Sequence, residues 1–227
     1  MVPAKISYVL SVRQKVVLQF IFSNLALVAN FVLSIVLARL LTPQDIGIFS
    51  MSAVLMAVAH VFRDFGVTAF IRREKELTPE ILRNALGVLL ITSWSVAAIM
   101  FLSAPYWAQF FNEARVLPAV QVLALGFVFI PFGAIPSAIL SREMAVEKSA
   151  YVTAASTVVY FAASVVLALK GFGPMTMAWA NLVNIIATGA MARWVVTRPL
   201  PWLPGFRQLR DIIHFGQSLI DDDVKNV

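Results

Sequence analysis

Of the 227 residues, 60% are hydrophobic and 13% charged, with a mean hydropathy of +0.83; a soluble domain carries about 25% charged side chains, so a water-exposed globule is excluded. The 18 Lys and Arg against 12 Asp and Glu leave +6, but the cations sit in short clusters between apolar runs, as membrane topology requires, and not along a continuous basic face for nucleic acid. There is no cysteine, which removes disulfides, thiolate metal sites and cysteine nucleophiles.

At about 20 apolar residues per spanning helix, the length leaves room for roughly six or seven spans in one all-α membrane unit. The start, MVPAKISYVLSVRQK, is followed by an apolar run too long for a signal peptide and without a small-residue cleavage site, so it is expected to be retained. Residues 16–38 hold no charge over 23 positions and form span one. In LTPQDIGIF, Thr42 is the expected N-cap, Pro43 the first helical residue and Asp45 a first-turn acid; span two starts there and runs to about Ile71. Span three is expected near 85–106, after the polar stretch RREKELTPEILRN. Span four, 116–140, contains Pro131, Gly133 and Pro136, and interior prolines predict a bend. Span five covers 150–169, KGFGP reverses the chain, and span six runs from 175 to about 196. A seventh run begins at HFGQSLI, but DDDVKNV follows, and three consecutive acids cannot continue a span.

Orientation follows from the cations. With alternating spans one side holds Lys5, Arg13 and Lys15, then Arg72, Arg73, Lys75 and Arg83, then Arg142 and Lys148, then Arg193, Arg198, Arg207 and Arg210. The other holds Arg39, Arg115 and Lys170. Thirteen against three places the first set, and the N-terminus, in the cytoplasm.

Few groups could carry chemistry. There are two histidines, no HExxH, no Gly-rich phosphate loop and no second acid near Asp64 at depth, so neither an enzyme, a metal site nor a cofactor is expected. In span two, His60, Arg63 and Asp64 fall at i, i+3 and i+4; His60 faces both others, whereas Arg63 and Asp64 point about 100° apart. Charges at that depth line a cavity or face a partner helix, which suggests a substrate or proton role. The alternative is that Arg63 snorkels to the cytoplasmic end and Asp64 bonds loop groups. Asn30 and Ser34 share one face of span one, and Asn181 and Asn184 one face of span six. Either pair suits sugar hydroxyls in a wet cavity or bonds between helices. Tyr106, Trp107, Trp179, Trp194 and Trp202 lie mostly near span ends, as an interfacial belt does. The stretch RPLPWLPGFRQLRDIIHFG, stiffened by three prolines, has the composition of a helix lying on the cytoplasmic leaflet; a simple basic loop is the alternative.

Three stretches together, LARLLTPQDIGIF at 37–49, RDFGVTAFIRR at 63–73 and the Pro/Trp/Arg linker ending in HFG at 198–216, resemble the polysaccharide biosynthesis or oligosaccharide flippase proteins of the multidrug/oligosaccharidyl-lipid/polysaccharide exporter group. The resemblance covers roughly residues 10–220 and implies the first of two six- or seven-helix lobes facing each other across a cavity. On that basis residues 1–197 are a membrane lobe, 198–214 a cytoplasmic interfacial linker and 215–227 the cut-off start of a second lobe. It further implies transport of a polyprenyl-diphosphate-linked glycan across a bacterial inner membrane, with membrane lipid and a missing second lobe as partners and no nucleic acid. Arginine suits phosphate by bidentate contact, making Arg39 and Arg63 the substrate candidates beside Asn30, Asn181 and Asn184. His60 and Asp64 are the candidates for ion coupling. Two alternatives remain: half of a multidrug-type cation antiporter, for which only Asp45 and Asp64 could serve, or a non-transporting membrane scaffold or gene remnant.

Overall fold

The computed structural model describes residues 12–64, 71, 78–143, 145–197 and 204–205. Among them are six helices and no strand: α1 (Val12–Leu40), α2 (Pro43–Asp64), α3 (Pro79–Phe110), α4 (Val116–Arg142), α5 (Val146–Leu169) and α6 (Met175–Val195). All six are long and apolar enough to cross a membrane. The expected spans each coincide with one helix. The expected run of span two to Ile71 passes into residues 65–70, which lie outside the described residues, as do the chain start, most of the linker and residues 215–227.

Local chemistry explains the ends. Thr42 Oγ1 accepts from the Asp45 N–H at 3.2 Å, while Asp45 Oδ2 accepts from the Thr42 N–H at 3.2 Å and its hydroxyl at 2.7 Å. This is a reciprocal capping box with Asp in the place of Glu. Thr78 caps α3 by accepting from the Ile81 N–H at 3.2 Å, with Pro79 at the first helical position. The reversal between α5 and α6 needs left-handed backbone at Gly171 (φ 76) and Gly173 (φ 53). Asn112, at φ 50, does the same work between α3 and α4.

α4 is the centre of the bundle. It packs against α6 and α3 most extensively, and also against α2 and α5. Its buried residues run from Val116 through Phe127 and Ile135 to Leu140. The α4–α6 crossing is a backbone contact: a Cβ placed on Gly133 would lie 2.8 Å from the Gly189 Cα. Small residues permit such an approach, and in lipid that close packing is a main source of helix association.

Candidate functional site

α1 and α2 leave the turn at Leu41 and Thr42 toward different partners. α1 packs on α5, while α2 packs on α4 and α3 and only lightly on α6. The two consecutive helices scarcely touch each other among the described residues. At their root an apolar plug closes the space between them: Leu33, Leu37, Leu41 and Ala168 are buried together, with Ile46, Tyr160, Phe161, Val165 and Met177 packed against them.

The faces that meet in this plug change character away from the turn. On α1 the face of Leu41 and Leu37 continues, at helical spacing, through Ser34 and Asn30. On α6, Met177 is followed by Asn181, Asn184 and Thr188. On α5, Ala168 and Tyr160 lead to Thr157 and Thr153, and on α2, Ile46 leads through Ala53 and Ala57 to His60. The result is a wedge: sealed by aliphatic side chains at the turn end, and bordered by amides, hydroxyls and an imidazole farther along. By the rise of 1.5 Å per residue, Asn30, Thr157 and Asn184 stand roughly 13–18 Å from the turn end of their helices.

Two kinds of polar group border it. Asn30 Nδ2 donates to the Ala26 carbonyl at 2.8 Å, Ser34 Oγ to the Asn30 carbonyl at 2.9 Å and Thr157 Oγ1 to the Thr153 carbonyl at 2.8 Å. These donors rest on their own helices, where a competing acceptor can displace them. Asn181 differs, because its Oδ1 is buried and has no hydrogen-bond partner among the described residues. The His60 ring, half-buried, stacks at 43° on Phe127 of α4 with centroids 4.8 Å apart.

The residues singled out in the sequence are therefore distributed. By helical spacing Asn30, Asn181 and Asn184 continue the faces that meet in the plug, and His60 continues that of Ile46 while its ring rests against Phe127. Arg39 is exposed at the turn end, offset from both Leu37 and Leu41, and so projects from the other side of α1. The backbone of Arg63 and Asp64 completes α2 at the opposite end; their side chains lie outside the described residues. Arg39 and Arg63 are thus not brought together. The hydroxyl stripe of α5, in which Thr153, Thr157, Tyr160 and Ser164 recur at i, i+4, i+7 and i+11, was not singled out in the sequence.

A second unanticipated feature ties the turn end. Arg115, before α4, donates to both Glu113 carboxylate oxygens, at 3.0 and 3.1 Å. It lies 3.7 Å from Asp45 of α2. Gln44 Nε2 reaches Glu113 at 3.5 Å, and Gly173 of the third turn passes close enough that a Cβ there would lie 3.4 Å from Asp45. All three hairpin turns meet at this cluster. The side-chain hydrogen bond from Arg115, followed by that from its backbone N–H, holds the Glu113 carboxyl below its usual range. At the other end of the bundle the Gly205 N–H donates to the Arg83 carbonyl at 2.8 Å, so this part of the linker rests on the start of α3.

A family model described as "Polysaccharide biosynthesis protein" matches residues 36–227. The chain is also similar to the lipopolysaccharide biosynthesis protein WzxC of Escherichia coli (strain K12), 26% identical over 172 residues, which are 74% of this chain and 35% of that protein. The chain thus matches about a third of the length of this relative. No solved structure matches it. The family match takes in five of the six helices entire, together with the root of the wedge and every plug residue except Leu33; the chain belongs to the polysaccharide biosynthesis protein family.

Proposed function

We propose that the chain is one lobe of a flippase that carries a polyprenyl-diphosphate-linked oligosaccharide across the bacterial inner membrane for polysaccharide biosynthesis. The observation that carries this reading is the wedge between α1 and α2, closed at one end by the apolar plug and bordered by amides and hydroxyls of α1, α5 and α6 and the His60 imidazole of α2. With the N-terminus cytoplasmic, as the cation asymmetry favours, the plug lies outside and the wedge opens to the cytoplasm, where such a substrate is assembled.

The physical problem is to move a hydrated head past about 30 Å of hydrocarbon while its tail stays in lipid. Amides offer both a donor and an acceptor to sugar hydroxyls, which suits Asn30, Asn181 and Asn184 to the glycan. The orphaned Asn181 Oδ1 gains a hydrogen bond when a hydroxyl arrives, so the site favours the occupied state. Arg63, at the open end, is assigned to the diphosphate on entry, and Arg39, at the closed end and outside the wedge proper, to its exit. His60 and Asp64, one helical turn apart, are assigned to ion coupling. Alternating access then requires a second body against which this lobe rocks.

The test is glycan export in a flippase-deficient strain given the chain together with its second half. The double variant Asn181→Ala, Asn184→Ala should lose surface polysaccharide and accumulate the lipid-linked precursor at matched protein levels. Arg63→Lys should retain part of the export that Arg63→Ala loses. Normal export by the double variant would remove the wedge from the path.

A further inference from the structure

After α6 the chain returns to the bundle. Val196, which caps α6, is buried in one cluster with Leu82 and Leu86 of α3. Nine residues later the Gly205 N–H donates to the Arg83 carbonyl at 2.8 Å. Both ends of this stretch are thus held at the start of the same helix.

At Gly205 the approach is close. A Cβ there would lie 2.5 Å from Asn84 Oδ1, 3.2 Å from the Arg83 Cβ and 3.4 Å from the Arg83 carbonyl carbon. Asn84 is 1% exposed, so its amide has little room to withdraw, and the helix backbone behind it has less. The Gly205 backbone is not left-handed; what demands glycine here is the nearness of α3, not conformational freedom.

We propose that Gly205 is the anchor of the linker, fixing the chain to the start of α3 so that residues up to 205 move with the six-helix body. Any tether to a further body is then measured from Gly205 and not from the end of α6. This consequence rests on the two-lobe reading above, whereas the anchor does not. From 198 to 214 the linker has 17 residues, and from 206 to 214 it has nine, which shortens its greatest reach from roughly 60 Å to roughly 30 Å. A pull on the tether is delivered to α3.

Because the chain holds no cysteine, two can be introduced for nitroxide labels, Glu147→Cys at the exposed start of α5 and Pro204→Cys beside the anchor. Double electron–electron resonance on the full chain in detergent should give one narrow distance peak. Gly205→Ala should broaden it severalfold, whereas Gly47→Ala, whose methyl meets nothing within 4 Å, should leave it as it is. Asn84→Ala should keep the peak narrow by itself and, added to Gly205→Ala, narrow it again, because it removes the oxygen that the new methyl meets. Monodispersity and helicity measured alongside keep a misfolded variant from counting. A broad distribution in the parent, or a narrow one that survives Gly205→Ala, would overturn the anchor. Broadening that Asn84→Ala fails to reverse, or causes alone, would show a general loosening at the start of α3 and overturn the role of the glycine. None of these distances depends on transport, so failure of the flippase reading would remove the tether's second body and leave the anchor standing.

Discussion

An asparagine buried in lipid is commonly a structural bond between helices, and losing such a bond destabilises. Asn181 differs, because its buried Oδ1 has no hydrogen-bond partner among the described residues. Asn181→Ala is therefore expected to leave thermal stability in detergent unchanged or to raise it by up to about 1 kcal/mol, while export falls. A loss of stability larger than the loss of export would mark it as structural. Glu113 allows a prediction of pH dependence. Its folded carboxyl titrates below the usual value, so its contribution to stability is present above about pH 4.5 and fades as pH falls through the lowered folded value. Melting curves between pH 6 and pH 3 should show this loss, and Arg115→Gln, which removes the guanidinium but leaves the backbone N–H bond, should reduce it. Arg115 is exposed and Glu113 only partly buried, so the change is expected to be small.

At the scale of the helix, the contact between α4 and α6 makes a graded prediction. A methyl at Gly133 meets the Gly189 backbone at 2.8 Å, one at Gly189 meets Gly133 at 3.4 Å, and one at Gly47 meets nothing within 4 Å. Gly133→Ala should cost about 1–3 kcal/mol through overpacking. Gly189→Ala should cost less, and Gly47→Ala should gain roughly 0.5–1 kcal/mol from helix propensity. Melting temperatures in any other order would mean that α4 and α6 yield readily at their crossing. Most of the helices were legible in the sequence, because charge-free stretches bounded by Thr42–Pro43 and the glycines of KGFGP state their limits in local chemistry. Span three was expected near 85–106, yet α3 starts at Pro79, capped by Thr78, and continues through Pro105 to Phe110. The wedge was only half legible. The pairs Asn30/Ser34 and Asn181/Asn184 are periodic within one helix, but the tie from Asp45 to Arg115 joins residues 70 positions apart, and no periodicity records which faces converge.

For the whole molecule, the cation count predicts that reporter fusions after Lys75, Lys148 and Arg198 report cytoplasmic and those after Gln44, Asn112 and Gly171 external. Reversal at any two would invert the lobe and with it the direction in which the wedge opens. If one lobe supplies one wall of a two-walled path, residues 1–227 expressed alone should fail to restore export, and co-expression with a second six-helix half should restore it. Restoration by residues 1–227 alone would show that this lobe is sufficient, by itself or paired with its own copy.

The arrangement of α1 has a mechanical consequence. It leans along one neighbour, α5, and is pinned at its root by Leu33, Leu37 and Leu41, while Phe20, Leu27 and Phe31 are largely exposed. Every other helix is held on at least two sides. Pulled from its N-terminus by a force probe, the bundle should surrender α1 first, in a separate low-force step, and the remaining five helices, packed on α4 and α6, should resist together. In the bilayer the same asymmetry makes α1 the wall of the wedge that can swing without disturbing the bundle behind it.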